Sequence, residues 1–201
     1  MGSREVFQPL TREDTITVVL YRTGIVLSAI IVSVLALLLK TATAPFNTAA
    51  ASPAADIPVY GLYLSVGMSV FFIHLYVGSF KKYLKNLYYL SLVCLAVLLF
   101  IGKGSVFAGL VQEPYCSILL LPLSGCLGFV TAKEAFCFKL FEGYLLAMIM
   151  PVYLLLVTKS TLASPGAAYG LILIAVMLVI FTVRKVFMPV AYDIGDKTAY
   201  R

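Results

Sequence analysis

Lys133, Glu134 and Cys137 are the residues of this chain whose types could support chemistry, since a cation, a carboxylate and a thiol stand together in the segment KEAFC. A cysteine nucleophile needs a base beside it. The one histidine, His74, belongs to a different predicted helix, although near the same side of the membrane. The cysteine spacings form no metal-ligand pattern. The sequence therefore favours a protein that is not an enzyme, and a thiol-based membrane enzyme is the least favoured class.

His74 is also the one candidate ligand for a pigment or haem. It follows Gly67 by seven residues and precedes Gly78 by four, spacings that share one face of a helix. Glycines on one face let neighbouring helices approach closely, so we expect His74 to face another helix. An interhelical hydrogen bond is the favoured interpretation. Axial ligation of chlorophyll or haem is the alternative, less favoured because no second ligand accompanies it.

Charged residues inside apolar sequence are the candidates for contact with lipid headgroups or partner subunits. Ionisable groups at membrane depth are costly, so they lie at an interface or mark a functional site. Lys133 and Glu134 admit two interpretations, a solvated turn between two helices or an inward-facing site for a partner, headgroup or pigment. Phenylalanines interleaved with these charges predict an interfacial anchor. The predicted contact residues are Arg22, Lys81, Lys82, Lys133, Glu134, Phe136 and Cys137.

The composition indicates the elements that must position these residues. The 201-residue chain is 62% hydrophobic and 12% charged, whereas soluble domains are roughly a quarter charged. The apolar runs are continuous, which favours helices over the alternating strands of a membrane barrel. We predict an all-α polytopic membrane protein, one domain over 1–201 with no soluble part. About six transmembrane helices are expected, near 16–39, 59–80, 87–101, 115–132, 141–158 and 167–187.

Prolines and cysteines refine this prediction. Pro122 should kink the fourth span, and Pro151 the fifth. The segment 102–112 is too short to span and is predicted to be an interfacial connector. The four cysteines are expected to be free, buried thiols.

The basic residues predict the orientation. Six spans place both termini on one side, and twelve of the fifteen lysines and arginines fall on that side. The other side holds only Lys40, Lys103 and Lys159. Cytoplasmic loops carry an excess of such residues. Both termini are therefore predicted to be cytoplasmic, or stromal in a plastid.

Three blocks of the chain resemble one family of uncharacterised integral membrane proteins from cyanobacteria and plastid-bearing organisms. The blocks are LTREDTITVVLYRTGIVLSA, FFIHLYVGSFKKYLKNLY and LGFVTAKEAFCFKLFEGYLLAMIMPVYLLL, of which the KE-x-FCF block is the most specific. The resemblance implies a photosynthetic membrane but no activity and no ligand. The matching residues are Asp14, Tyr21, Arg22, Gly24, Ile73, His74, Tyr76, Lys81, Lys82, Lys133, Glu134, Phe136, Cys137 and Phe138.

Two function classes remain besides the enzyme. The favoured one is a non-catalytic accessory, scaffold or assembly subunit of a photosynthetic (thylakoid) membrane complex. A basic surface without a head domain fits that role and suits anionic lipids. The alternative is a small-molecule or ion transporter or channel, for which the spans offer few polar groups. We expect membrane lipids and other membrane subunits as partners, no nucleic acid, and chlorophyll or another pigment as the only cofactor candidate.

Overall fold

The computed structural model describes residues 11–42, 53–75, 78–159, 164–190 and 193, and within these ranges it contains helices and no strand. This confirms the all-α class. Over the described ranges, seven α-helices and two short 3₁₀ segments follow one another. They are α1 (Arg12–Ala42), a 3₁₀ segment (Pro53–Ala55), α2 (Asp56–Phe72), α3 (Gly78–Ile101), α4 (Val106–Gln112), a second 3₁₀ segment (Pro114–Leu120), α5 (Leu121–Phe138), α6 (Phe141–Thr158) and α7 (Ser164–Val186).

Five helical segments of the described chain are long and apolar enough to cross a membrane, namely α1, α3, the second 3₁₀ segment with α5, α6, and α7. The apolar helix α2 is shorter, at 17 residues. Because roughly 20 apolar residues span a bilayer, these segments make the chain a polytopic integral membrane protein. Its long helices alternate in direction. The starts of α1, α3 and α6 and the ends of α2, α5 and α7 therefore share one end, here called the charged end.

Small residues allow the closest helix packing, between α1 and α2. A methyl group on Gly24 would lie 2.7 Å from the carbonyl oxygen of Ser65 and 2.9 Å from the amide nitrogen of Ser69. The hydroxyls of Ser28 and Ser65 hydrogen-bond across the same interface at 2.9 Å. Glycine and serine thus let two backbones meet where larger side chains would separate them.

The boundary between α2 and α3 differs from the prediction. The predicted span 59–80 ends early, at Phe72, because Ile73 is extended (φ −62°, ψ 134°). The next helix begins at Gly78, whereas 87 was predicted. His74 therefore lies outside both helices, and the proposed face shared by Gly67, His74 and Gly78 is wrong. Gly67 is nevertheless a close-packing position, because an added methyl group would lie 2.3 Å from the Tyr88 hydroxyl oxygen.

Proline acts differently in α5 and α6. Pro122 lies in the first turn of α5, directly after a 3₁₀ segment, so within the candidate span 114–138 it stands where the backbone changes from 3₁₀ to α geometry. Proline suits a first turn, where its missing N–H group has no partner to lose. Pro151 lies inside α6, as predicted.

The predicted connector 102–112 contains a short helix fixed by a buried carboxylate. Asp56 at the start of α2 is 4% exposed. Its Oδ1 accepts hydrogen bonds from the Phe107 amide (2.7 Å) and the Ser105 hydroxyl (3.1 Å). Ser105 is itself the N-cap of α4. One carboxylate thus joins α4 to α2 at the end opposite the charged end.

Candidate functional site: a buried charge network

Glu134 is the centre of a cluster of ionised side chains at the charged end. Its side chain is fully buried, and Oε1 accepts hydrogen bonds from the Tyr21 hydroxyl (2.7 Å) and from Lys133 Nζ (2.6 Å). Oε2 is in ion-pair contact with Lys185 Nζ, although not in the geometry of a regular hydrogen bond. The helix α5 continues to Phe138. Lys133 and Glu134 therefore lie within its last turns and not in a loop.

Lys185 links Glu134 to the segment after α7. It is fully buried, and its ammonium group contacts Glu134 and Asp193. The same group lies 3.7 Å from the ring centroid of Phe138, which supplies a cation–π contact. A buried lysine is tolerated only when it is paired. Here two carboxylates and one aromatic face compensate for the lost hydration.

Arg22 holds the end of α7 against α1. Its guanidinium binds Asp193 Oδ2 through Nε (2.7 Å) and Nη2 (2.6 Å). It also donates to the carbonyl oxygens of Val186, Met188 and Pro189. The last carbonyls of a helix lack partners within it and attract cations. Arg22 gives these carbonyl oxygens both hydrogen-bond donors and a positive charge.

The buried charge network therefore consists of Tyr21, Arg22, Lys133, Glu134, Lys185 and Asp193. It contains three cations and two carboxylates, and its charged atoms are almost fully buried, the most exposed side chain being Lys133 at 13%. Removing one member of a buried ion pair leaves the other uncompensated. The network thus fixes the relative positions of α1, α5 and α7 at the charged end.

His74 lies near this network without joining it. Its Nε2 is 3.3 Å from the Thr17 hydroxyl of α1, and its Nδ1 is buried with no hydrogen-bond partner in the described part of the chain. Partial burial lowers the pKa of His74, and the nearby ammonium groups of Lys133 and Lys81 lower it further. These effects favour the neutral form of the imidazole. The described residues contain no group of three His, Cys, Asp or Glu suited to a metal ion.

The structure brings together three of the residues predicted to contact lipid or a partner, Arg22, Lys133 and Glu134. Phe136 and Cys137 follow directly but point outward, with Phe136 80% exposed. Lys81 and Lys82 lie in the first turns of α3 and contribute no ion pair to the network; Lys81 is half-buried and Lys82 exposed.

Tyr21, Lys185 and Asp193 are members of the network that were not predicted as site residues. Lys185 lies near the end of the predicted span 167–187, and Asp193 lies beyond it. A sequence signal did exist for Lys185, because a lysine in the last turn of an apolar helix needs a counter-ion if it is buried. Nothing in the sequence indicated that Asp193 would provide it.

All four cysteines are free. Cys116 and Cys126 are buried and Cys94 is half-buried, whereas Cys137 is exposed. The expectation of buried thiols therefore fails for Cys137, which stands one residue before the last residue of α5.

The comparisons with known proteins concern the larger part of the chain. A family model described as "Uncharacterized integral membrane protein (DUF2301)" matches residues 68–201. No curated protein and no solved structure matches the chain. The matched region contains His74, Lys133, Glu134, Lys185 and Asp193 and begins after α1, which carries Tyr21 and Arg22.

Proposed function

We propose that this chain, which belongs to the family of uncharacterized integral membrane proteins DUF2301, is a non-catalytic membrane subunit that docks a partner protein at its charged end. In this role it serves as an accessory, scaffold or assembly subunit. The proposed location is the thylakoid or a related cyanobacterial or plastid membrane. The support for that location is the resemblance of its three sequence blocks to proteins of those membranes.

The observation that carries the proposal is a surface here called the aromatic turn. It consists of Phe136, Cys137, Lys139 and Phe141, which follow Lys133 and Glu134 in the chain. Phe136 is 80% exposed and Phe141 68% exposed. Lys139 caps α5 in the left-handed conformation (φ 54°). Exposed aromatic residues beside a cation are typical of the anchor residues of interfaces.

The residues beneath the aromatic turn make it rigid. Leu140 at its centre is fully buried, and Glu142 pairs with Arg184 of α7 at 2.6 Å. Glu134 at the end of α5 pairs with Lys185 of α7 from inside, so α7 is joined to both helices that flank the turn. A surface that is already ordered loses little entropy when a partner binds. A buried network that positions an exposed aromatic pair is suited to docking.

The charge network also bears on the enzyme alternative. Glu134, Lys185 and Asp193 are engaged with one another. Among the described residues the imidazole of His74 contacts Thr17, and Cys137 is an exposed free thiol at the end of α5. A nucleophile needs a base within hydrogen-bond reach. These contacts favour a structural role for the ionised residues.

A transporter is the second candidate, and one observation favours it. A cavity of about 430 Å³ lies in the half of the bundle opposite the charged end. Between cavity and network the core is closely packed, since Val70 of α2 and Val130 of α5 are fully buried. This packing separates the ionisable groups from the cavity, which favours the docking role.

The test is the size of the particle extracted from the native membrane in mild detergent. The double variant Phe136→Ala with Phe141→Ala removes the two exposed rings and leaves the charge network intact. We expect the wild-type protein to migrate in a larger assembly and the double variant to migrate alone, with equal amounts inserted in the membrane.

The matched control is Phe100→Ala. Phe100 is 88% exposed at the last turn of α3, at the end opposite the aromatic turn. This variant should keep the assembly. Migration of the wild-type protein as a colourless monomer, or equal behaviour of the two variants, would contradict the docking role.

A further inference from the structure

Three lysines in the first turns of α3 form a basic surface that is separate from the buried charge network. They are Lys81, Lys82 and Lys85, here called the lysine cluster. Residues three and four apart are neighbours on a helix, so Lys85 stands beside both of the others and all three project from one side of α3. The cluster adjoins the last turn of α2. It thus lies at the charged end, on helices other than the two that form the aromatic turn.

The lysine cluster has no carboxylate partner in the described part of the chain. Every cation of the buried charge network, and Arg184 beside it, pairs with Glu134, Glu142 or Asp193. None of the three clustered lysines forms an ion pair with a described residue. Like charges one turn apart on a helix repel each other. The cluster therefore attracts an anion from outside the chain.

One lysine of the cluster is held in place by an aromatic ring. Lys85 Nζ lies 5.4 Å from the ring centroid of Phe71 in α2, a cation–π contact. The Phe71 ring packs edge-on against Tyr88 and Tyr89, with centroid separations of 5.7 and 6.2 Å. Lys81 is half-buried against the protein. A cluster that is partly ordered in advance loses less entropy when an anion binds.

The surroundings of the lysine cluster place it at the level of the lipid headgroups. Phe80 and Tyr83 alternate with the lysines, and both are exposed, Tyr83 by 71%. Exposed tyrosine is typical of the boundary between membrane and water. On the side of Lys85, α3 continues with the exposed residues Tyr89 and Val93. A molecule held by the lysines therefore lies beside an apolar surface that runs toward the centre of the bilayer.

We propose that the lysine cluster binds an anionic phospholipid, with the headgroup phosphate at the three lysines and the acyl chains along the exposed side of α3. Clustered basic residues at a membrane surface attract anionic lipids. A zwitterionic lipid is disfavoured because it would bring its own ammonium group toward three cations. The sequence left lipid and partner protein open for Lys81 and Lys82. The adjoining apolar surface favours a lipid over a partner protein and over a free phosphate ion.

Lipid binding to the detergent-purified protein tests the proposal, because no partner protein is present in that preparation. The probes are dioleoyl-phosphatidylglycerol and dioleoyl-phosphatidylcholine, which have the same acyl chains, and only the first has a net negative charge. Native mass spectrometry over a titration gives the two affinities. We expect phosphatidylglycerol to bind more tightly, and this preference to shrink as the salt concentration rises. Inorganic phosphate at the concentration of the lipid should not displace it.

The triple variant Lys81→Gln, Lys82→Gln and Lys85→Gln should bind phosphatidylglycerol about 100-fold more weakly than the wild type. Each lysine near an anionic headgroup contributes about fivefold to the affinity. Replacing the same three lysines with arginine keeps the charge and should preserve binding. Lys82→Gln alone changes an exposed side chain and should weaken binding about fivefold, which is sufficient if the triple variant does not fold.

The matched control is the triple variant Lys40→Gln, Lys103→Gln and Lys159→Gln. These three exposed lysines lie at the end opposite the charged end, so the variant removes the same charge and should bind phosphatidylglycerol as the wild type does. Three results would each overturn the proposal. They are equal affinity of the wild type for the two lipids, equal losses in the two glutamine triple variants, and displacement of the lipid by inorganic phosphate.

Discussion

The Tyr21 hydroxyl donates a 2.7 Å hydrogen bond to Glu134, a residue 113 positions later in the chain. Both side chains are buried, and they join α1 to α5. Lys133 Nζ lies 5.4 Å from the centroid of the Tyr21 ring and so contacts both partners. A contact between α1 and α5 inside a charge network orders two helices that are distant in sequence. This makes Glu134 the position where substitution is most informative.

Glu134→Gln should destabilise the protein by about 3–5 kcal/mol, because Lys185 and Lys133 lose a buried counter-ion. Thermal unfolding in detergent measures the effect. Glu142→Gln is the matched control, since Glu142 pairs with the half-exposed Arg184 and such a pair contributes about 1 kcal/mol or less. Equal effects of the two substitutions would show that the buried ion pairs of Glu134 stabilise the protein no more than the exposed pair of Glu142 does.

Tyr21→Phe should cost about 1.5–3 kcal/mol, the range for a hydrogen bond to a charged group. In combination with Glu134→Gln the two costs should not add, because the residues are in direct contact. The unfolding free energies of the two single variants and the double variant measure this coupling. If the two costs in unfolding free energy add fully, the effect of Tyr21→Phe does not come from its hydrogen bond to Glu134. Tyr89→Phe, an exposed hydroxyl on α3, should change stability little.

The fold class could be predicted from the sequence because hydropathy alone requires helices in a bilayer. Continuous apolar runs gave the existence and order of the spans. The break at 73–75 was not predictable, since FFIHLYVG contains no proline and reads as a continuous apolar run. Its extended Ile73 is fully buried, so tertiary packing outweighs the local preference there.

The candidate site was only partly predictable for a different reason. Lys133 and Glu134 stood out as charges between apolar runs, and this signal identified the centre of the network. Whether Glu134 is buried depends on which side chains surround it. The other network members Tyr21, Lys185 and Asp193 come from distant positions in the chain. Contacts at such separation leave no spacing pattern in one sequence. The resemblance included Tyr21 and Arg22 without indicating that they meet Glu134.

Gly24→Ala should be destabilising by about 1–3 kcal/mol, the usual cost of overpacking. The added methyl group would meet backbone atoms of Ser65 and Ser69 within 3 Å, and backbone cannot rotate away. Gly61→Ala is the matched control, because there the methyl group meets only the end of the Ile31 side chain at 3.2 Å. The control should be neutral or stabilising by up to about 1 kcal/mol. Thermal unfolding of the two variants distinguishes these outcomes.

Stability should fall as the pH falls below about 6.5, the ordinary pKa of histidine. The pKa of folded His74 is lowered by burial and by Lys133 and Lys81, with Asp193 and Asp14 opposing. The unfolded chain therefore binds a proton before the folded one does. The contribution is fully present above pH 6.5 and is lost between that value and the lower pKa of the folded state. His74→Gln should remove this part of the pH dependence, measured as unfolding temperature against pH. An unchanged profile would show that His74 does not titrate differently on folding.

Cys137 should be the thiol that reacts with a membrane-impermeant maleimide, and only from the cytoplasmic or stromal side. It is exposed at the charged end, whereas Cys116 and Cys126 are buried. The excess of basic residues on the side of this end predicts that it faces the cytoplasm or stroma. In a Cys137→Ser background, Lys103→Cys places an exposed thiol after α3, at the other end of the bundle, and should react only from the opposite side. Labelling of both positions from one side would contradict the alternation of the helices across the membrane. Labelling of each from the side opposite to that expected would keep the alternation and reverse the orientation, because the two thiols report on the two ends independently.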